Sequence, residues 1–582
     1  MAPKRIVIIG AVALGPKAAC RLKRLRPDYQ VIMVDQGEYI SYGGCGIPYY
    51  ISGDLSDIKE LMSTSFHMLR TPEFFENAKD VRVKTRTRAL AIDRHRKQVR
   101  LLDLLTQREE DLPYDHLVLA TGSRPRPLAV PGAELPGVMS VANLSAAMAV
   151  RDLIAKGQVG RAVIIGAGPI GCEMAEALSD LWGLETSLVE ITPQVLPGLL
   201  EPGLARMIAK HLKDKDIDLH LEETVKEIRP HSGNDHALEV VTGQKILPAD
   251  LVITAVGVVP NSELAARAGL QVSPGGGIVV NRRLQTSDPD IYAGGDCIAN
   301  HHLITGQPVY FPSGSLANRQ GRVIGTNLAG GDAVFPGIVG AFVLKTFDLA
   351  IAGAGLTLTK ARQAGFDPVE ALVIQADRAH FYPTQDLMYL TLVADRKTRR
   401  LLGAHGLSHN GDALVGRINS IAALLPFKAG LAELSNLEVA YAPPFAAALD
   451  IVNAVANTLE NILDGYNRTI EVADFEQCFL TAKAGDAICL DVRGAQNAAP
   501  YVDLFGDRWL NIPQETLNRR LAEIPKDKRL LVVCNSGVRS FEALRQLETA
   551  GLTNAVNLQG GIAALKKSGA LELSDEEKSE IE

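Results

Sequence analysis

The stretch Arg161-Ala-Val-Ile-Ile-Gly-Ala-Gly-Pro-Ile-Gly171 decides the fold. A short apolar run ends in three glycines spaced G-x-G-x-x-G and passes into an Ala-rich helical segment. The first glycine permits a tight turn, the second lets backbone approach a pyrophosphate, and the third lets the helix lie close to the strand. A second strand-like run, Thr186 to Val189, then ends at Glu190, nineteen residues beyond Gly171. This is the order of a dinucleotide site, with Gly166, Gly168 and Gly171 at the pyrophosphate and Glu190 on a ribose. A carboxylate there accepts from both ribose hydroxyls and repels a 2′-phosphate. NADH is expected, with NADPH readmitted only by a neighbouring Lys or Arg.

Toward the amino terminus the layout recurs. Lys4 to Ile9 leads into Gly10-Ala-Val-Ala-Leu-Gly15, a basic helix runs to Leu25, and Val31 to Val34 ends at Asp35, twenty residues after Gly15. Val12 replaces the second glycine. Two dinucleotide sites imply two nucleotides, and a hydride donor with a flavin is the useful pair. Tyr114 to Thr121 reads as a buried strand closed by Gly122, and Thr286 to Asp296 as a strand whose glycine turn presents Asp296. The helix after Gly15 carries Lys17, Arg21, Lys23 and Arg24. They read either as a solvated basic face or as an anion site for a phosphorylated substrate.

Between these landmarks lies Ser41-Tyr-Gly-Gly-Cys-Gly-Ile-Pro48, where a single cysteine, Cys45, precedes a proline suited to a first helical turn. A thiol at a helix N-terminus faces unpaired N–H groups that favour its thiolate. No carboxylate follows until Asp54, and the next cysteine is Cys172. Cys45 must therefore complete a redox cycle with an external sulfur or with oxygen, as a mixed disulfide, persulfide or sulfenic acid.

With 582 residues the chain exceeds one hydrophobic core, and about three to five domains are expected. A net charge of −7 argues against a nucleic-acid partner. The start MAPKRIVIIG lacks the pattern of a secretory signal, and no apolar run reaches the roughly 18 residues of a membrane span. A cytoplasmic protein is expected. The seven cysteines are scattered, without C-x-x-C or metal-ligand spacing, which argues against a disulfide framework or a metal site.

The set Gly10 to Gly15, Asp35, S-x-x-x-C-x-x-P, Ala120-Thr-Gly122, the second glycine loop, Val256 to Asn261 and Tyr292 to Asp296 resembles the single-cysteine branch of the flavin disulfide reductases. That branch includes coenzyme A disulfide reductases, water-forming NADH oxidases and NADH-dependent persulfide reductases. The resemblance implies FAD held by Gly10, Gly15, Asp35, Thr121, Gly122 and Asp296, NAD held at the second loop, and Cys45 as the redox thiol. It also implies a C2 homodimer, in which Tyr441-Ala-Pro-Pro-Phe445 and His380-Phe-Tyr-Pro383 bring Tyr441 and Tyr382 to the partner's site. Ser41, Lys17, Arg21, Lys23 and Arg24 would then serve the substrate, coenzyme A among the candidates. Gly44 stands where coenzyme A-binding relatives carry Asn.

Beyond residue 466, Asp491-Val-Arg493, the loop Cys534-Asn-Ser-Gly-Val-Arg539 and Gln559-Gly-Gly-Ile562 occur in the order of a rhodanese domain, which this segment resembles. A cysteine opening a glycine-containing loop before a helix sits in a cradle of backbone N–H groups. Cys534 is thus a sulfur carrier in expectation, with Arg539 at the loop's end. Cys489 and Cys478 read as buried strand-end cysteines. The expected architecture is α/β: Rossmann-like domains for FAD (1–150 and 257–325) and NAD (151–256), an α+β dimerisation domain (326–465), an α/β rhodanese domain (466–573) and an acidic tail (574–582) read as disordered.

The function expected is NADH-dependent reduction of sulfane sulfur, in coenzyme A persulfide, other persulfides or polysulfide, releasing sulfide at Cys45 with Cys534 as carrier. Coenzyme A disulfide reduction and NADH oxidation are alternatives. A sulfur-relay or redox-sensing protein is the alternative of another class.

Overall fold

The computed structural model describes residues 3–231, 237–480 and 486–571. The acidic tail lies outside them. The chain separates into two compact units, residues 1–191 with 220–338, and residues 192–219 with 339–582.

In the first unit the strand Arg5–Ile9 lies between His116–Leu119 and Gln30–Val34, with Ile291–Ala293 and Arg82–Lys84 outside them, all parallel. The centre of this sheet is covered on both faces, which explains why Ile6, Val7, Ile8 and Leu117 to Leu119 form near-continuous apolar runs, all fully buried. The helices Leu14–Leu25 and Gly314–Leu328 pack against each other. A second parallel sheet runs Glu185–Val189, Arg161–Ile165, Leu251–Thr254, Val138–Met139. Both sheets present strand ends to glycine turns, the usual ligand side of an open parallel sheet.

The second unit contains an antiparallel sheet in the order Phe342–Thr346, Leu349–Gly355, Leu401–Ser408, Leu387–Asp395, Pro368–Ala376, backed by the helices Gly411–Leu424 and Ile451–Leu463. It also contains a parallel sheet, Thr469–Ile470, Ala555–Leu558, Arg529–Val533, Ala487–Asp491, Trp509–Asn511. Residues 192–219, which the sequence reading kept with the second nucleotide domain, group with this unit. Their helix Pro202–Asp214 packs on the helix Gly561–Ser568, where the Arg206 guanidinium pairs with Glu476 and donates to the Ser568 carbonyl.

Candidate active site

The first glycine loop is shaped by packing. A Cβ on Gly10 would stand 2.0 Å from the Ala120 carbonyl oxygen, and one on Gly15 would stand 2.0 Å from that of Gly10. Asp35 fixes the loop by accepting the Ala11 N–H at 2.7 Å and the Gly37 N–H at 2.8 Å. Burial pushes its carboxyl up against those two bonds. Thr121 and Asn261 exchange hydrogen bonds at 2.6 and 2.9 Å and hold the turn at Gly122, which has free space around it. Asp296 accepts the Ser313 N–H at 3.1 Å and the Ser123 hydroxyl at 3.3 Å, and burial raises its carboxyl. These groups converge at strand ends and fit a flavin nucleotide: loop backbone for phosphate, carboxylates for hydroxyls. Sequence reading quoted Asn261 as part of a motif without giving it a role and did not single out Ser123 or Ser313; all three support the others through long-range contacts.

At the second loop, Gly166 and Gly171 are again dictated by close packing, whereas Gly168 has nothing within 4 Å. That opening is where a pyrophosphate would meet backbone. Glu190 is buried, accepts the Ala167 N–H at 2.8 Å, and is followed by Ile191, 65% exposed. These residues fit a nicotinamide nucleotide.

Cys45 lies in the short turn Gly44–Gly46 ahead of the six-residue helix Ile47–Ser52, with Pro48 in its first turn. Its residue is exposed, yet the thiol is pushed above its ordinary value by burial of the sulfur, then by Glu173 and Asp296. The expectation of a thiolate-favouring site is corrected on this point: the opposing carboxylates are remote in sequence and near in space. Gly314, which opens the 15-residue helix Gly314–Leu328, lies beside the sulfur, a Cβ there standing 3.7 Å from Sγ, and the backbone amides of Gly314 and of Cys45 itself oppose the rise. Glu173, on the helix Pro169–Ser179 that packs against Ile47–Ser52, is itself raised to about 7 by burial, with Glu176 adding. Ser41, buried at φ +49°, ties the Cys45 stretch to the first glycine loop through its N–H to the Ala11 carbonyl at 2.7 Å.

Of the four basic residues after Gly15, Lys17 and Arg24 are exposed and Arg21 is half-exposed. Arg21 donates to the Thr326 hydroxyl at 3.0 Å, and its stem and that of Lys17 lie over Gly325 and Gly321. Lys23 departs from the expected substrate set. It is buried, and its ammonium donates to Asp80 and to the carbonyls of Pro27 and Tyr29, so all three of its N–H donors are used.

In the second unit the segments carrying Tyr382 and Tyr441 meet, the Ala379 N–H donating to the Pro443 carbonyl at 3.3 Å. Tyr382 is half-buried, Tyr441 is 51% exposed, and Phe381 and Phe445 beside them face outward.

Cys534 follows the strand Arg529–Val533, and its loop leads into the helix Val538–Thr549. Its buried sulfur accepts the Gly537 N–H at 3.1 Å and the Ser540 hydroxyl at 3.3 Å. Arg539 is half-exposed beside it. Arg493 is a buried support, its guanidinium forked on Asp491, which also takes the Trp509 indole N–H at 3.1 Å. Cys489 is buried within a strand, as expected, and burial raises its thiol well above the ordinary value. Cys478 differs. It lies half-exposed in the helical turn Glu476–Leu480 and accepts from Arg529 at 3.1 Å.

Residues 4–321 match the family described as pyridine nucleotide-disulphide oxidoreductase, residues 342–452 its dimerisation domain, and residues 484–568 a rhodanese-like domain. The NAD(P)H sulfur oxidoreductase (CoA-dependent) of Pyrococcus abyssi is 34% identical over 457 residues, 78% of this chain and 98% of the relative. A NAD-dependent persulfide reductase from A. fulgidus shares the fold at a TM-score of 0.90 and 37% identity, over 96% of this chain and 99% of its own. Reduced Bacillus anthracis CoADR-RHD gives 0.88 at 30% identity over 98% of each chain. With both nucleotide sites, a dimerisation domain and a Cys534 loop in one chain, the protein belongs to the pyridine nucleotide-disulphide oxidoreductases, FAD- and NAD(P)H-dependent enzymes, in a form that ends in a rhodanese-like domain.

Proposed function

We propose that this enzyme reduces sulfane sulfur, taking coenzyme A persulfide, related persulfides or polysulfide, and releases sulfide in the cytoplasm as a homodimer. The observation that carries the reading is one redox thiol without a neighbouring partner cysteine, fused to a second thiol in an N–H-lined loop. Relatives named for persulfide and coenzyme A-dependent sulfur reduction support it. Seven unpaired cysteines suit a reducing compartment.

The Cys45 thiolate attacks the inner sulfur of the persulfide, forms a mixed disulfide and expels hydrosulfide. A flavin held by Gly10, Gly15, Asp35, Thr121, Gly122 and Asp296 would supply the electron pair, drawn from NADH. Two electrons cleave the mixed disulfide and return the Cys45 thiolate and the carrier thiol. Gly314 stabilises the anion on Cys45. Glu190, buried with only apolar Ile191 after it, favours NADH over NADPH. Lys17, Arg21 and Arg24 offer charge to phosphates of the carrier thiol. Cys534 receives sulfane sulfur as a protein persulfide, its anion held by Gly537 and Ser540, and Arg539 attracts the anionic donor. Tyr382 and Tyr441 serve the site of the partner protomer. Reduction of coenzyme A disulfide itself is the second reading, favoured by relatives named for it.

The test is anaerobic, NADH-driven sulfide release from coenzyme A persulfide, with coenzyme A disulfide run in parallel. Fast sulfide release and slow disulfide turnover, both lost in Cys45→Ser, support the proposal. Rapid disulfide turnover with little sulfide overturns it. Cys534→Ser is expected to spare reduction of small persulfides and to stop transfer from sulfur donors that must first load the carrier.

A further inference from the structure

The strand Pro368–Ala376 forms one edge of the antiparallel sheet, and an edge strand points alternate backbone N–H groups away from its neighbours. The Leu372 N–H finds a side chain there, donating to Gln559 Oε1 at 2.8 Å. Gln559 is buried, and its own N–H donates to the Ile470 carbonyl at 3.0 Å. The next residue, Gly560, sits at φ +71° against the same strand: a Cβ there would stand 2.8 Å from Ile374 Cδ1 and 3.2 Å from Leu372 Cδ2. This turn of the rhodanese-like segment is therefore seated on a strand of the dimerisation domain. The helix Gly561–Ser568 that continues from it is pinned at its far end, where Arg206 donates to the Ser568 carbonyl at 3.0 Å and Lys567 Nζ lies 3.4 Å from His409 Nε2.

The other side of that turn carries the Cys534 loop. A Cβ on Gly561 would collide with the Cys534 carbonyl oxygen, and the Ile562 and Ala563 N–H groups donate to the carbonyls of Cys534 and Asn535, each at 2.9 Å. A Cβ on Gly537 would stand 3.4 Å from the Gly560 nitrogen, and the Gly537 carbonyl accepts from Asn557 Nδ2 at 3.0 Å. Gly537 is the residue whose N–H donates to the Cys534 sulfur at 3.1 Å. An unbroken series of contacts thus runs from the edge strand, through Gln559 and Gly560, to the donor on the sulfur.

On the reading that Cys534 carries sulfur, we propose that the dimerisation sheet completes the carrier site, with Leu372 and Gln559 as positioning residues that hold the Gly537 N–H where the anion on Cys534 forms. In loading, the Cys534 thiolate attacks the terminal sulfur of a polysulfide and an S–S bond forms at Cys534. The S–S bond behind that terminal sulfur breaks, and the shortened polysulfide leaves with the electron pair. A persulfide anion remains on Cys534, and no outside oxidant or reductant enters. Negative charge stays beside the Gly537 N–H and the Ser540 hydroxyl throughout. A displaced Gly537 therefore slows the transfer itself, whereas attraction of the polysulfide falls to charge at the loop's rim, Arg539, and is untouched.

The test uses the full-length, FAD-loaded protein with polysulfide and no NADH, following the extra sulfur atom on the Cys534 peptide by mass. Leu372→Ala, which unseats Gly560, and Gln559→Ala, which removes the acceptor, are expected to lower the maximal loading rate about tenfold and to leave the half-saturating polysulfide concentration unchanged, the scale expected when reacting groups shift by a fraction of an ångström. Gln559→Glu keeps the accepting oxygen and is expected to restore the rate. Hydrogen–deuterium exchange in the core strand Arg529–Val533 checks that each variant is folded, and Gln559→Ala carries the test should Leu372→Ala fail that check. Wild-type loading rates in the Ala variants, a change confined to half-saturation, or a Gln559→Glu as slow as Gln559→Ala would overturn the role of the sheet and leave the carrier reading standing. A wild-type protein that takes up no sulfur at Cys534 would overturn the carrier reading and this role with it.

Discussion

Gly314 opens its helix beside Cys45, where a Cβ would stand 3.7 Å from Sγ, and its backbone amide opposes the rise of the thiol. The contact joins two segments far apart in sequence and brings a backbone N–H toward the thiol. Proline is tolerated at a first helical position and has no N–H, so Gly314→Pro removes the donor while keeping the helix. A hydrogen bond to a charged group contributes about 1.5–3 kcal/mol, so the variant thiol is expected to titrate about one unit higher and alkylate roughly tenfold more slowly near neutral pH. The rate of Cys45 alkylation against pH checks this. An unchanged profile refutes the assignment of Gly314.

Glu173 acts in the opposite direction, raising the thiol. Its own carboxyl titrates near 7, so its charge bears on Cys45 only above that pH. Glu173→Gln is expected to speed Cys45 alkylation several-fold at pH 8, roughly half a pKa unit, and to converge with wild type below pH 6, where Glu173 is already neutral. Parallel curves at all pH values would show that Glu173 does not face the thiol.

In the proposed reading, nucleotide preference rests on Glu190, which is buried, and its exposed neighbour Ile191. The pair Glu190→Ala, Ile191→Arg removes the repelling carboxylate and adds a cation for a 2′-phosphate. At about 1.5–3 kcal/mol for a charged hydrogen bond, the ratio of kcat/KM for NADPH over NADH is expected to rise by roughly 10- to 100-fold. Steady-state flavin reduction with each nucleotide measures it, and an unmoved ratio counts against Glu190 as the selector.

Asp491 is fully buried against Arg493, whose side chain is 4% exposed. Asp491→Ala leaves that guanidinium unpaired in the interior, a loss of about 3–5 kcal/mol. Calorimetry should show an early transition belonging to the rhodanese-like segment, with flavin content and NADH oxidation by small substrates retained. A thermogram matching wild type would mean that the pair is not structural.

Much of the site was legible because its grammar is local. Gly15 and Gly171 are demanded by contact with the first glycine of their own loops, Gly10 and Gly166 recur at the same place in each turn though their contacts are with Ala120 and Ala255, and Asp35 and Glu190 end the very next strand. Cys534 announces itself in the same way, at a strand end before a glycine-containing turn. Lys23 and Cys478 were misread for the opposite reason. Whether a lysine is solvated or buried depends on Asp80 and on the carbonyls of Pro27 and Tyr29 folding over it, and Cys478 owes its exposure to a helical turn beside Arg529.

The sequence by itself determined the order of the domains, the two nucleotide loops and the two candidate thiols, since residue type and spacing encode turns, strand ends and helix starts directly. Only the tertiary structure decided what surrounds the Cys45 sulfur. Gly314, Glu173 and Asp296 reach Cys45 through space, and desolvation and Coulomb interaction depend on distance and burial and leave no trace in sequence spacing.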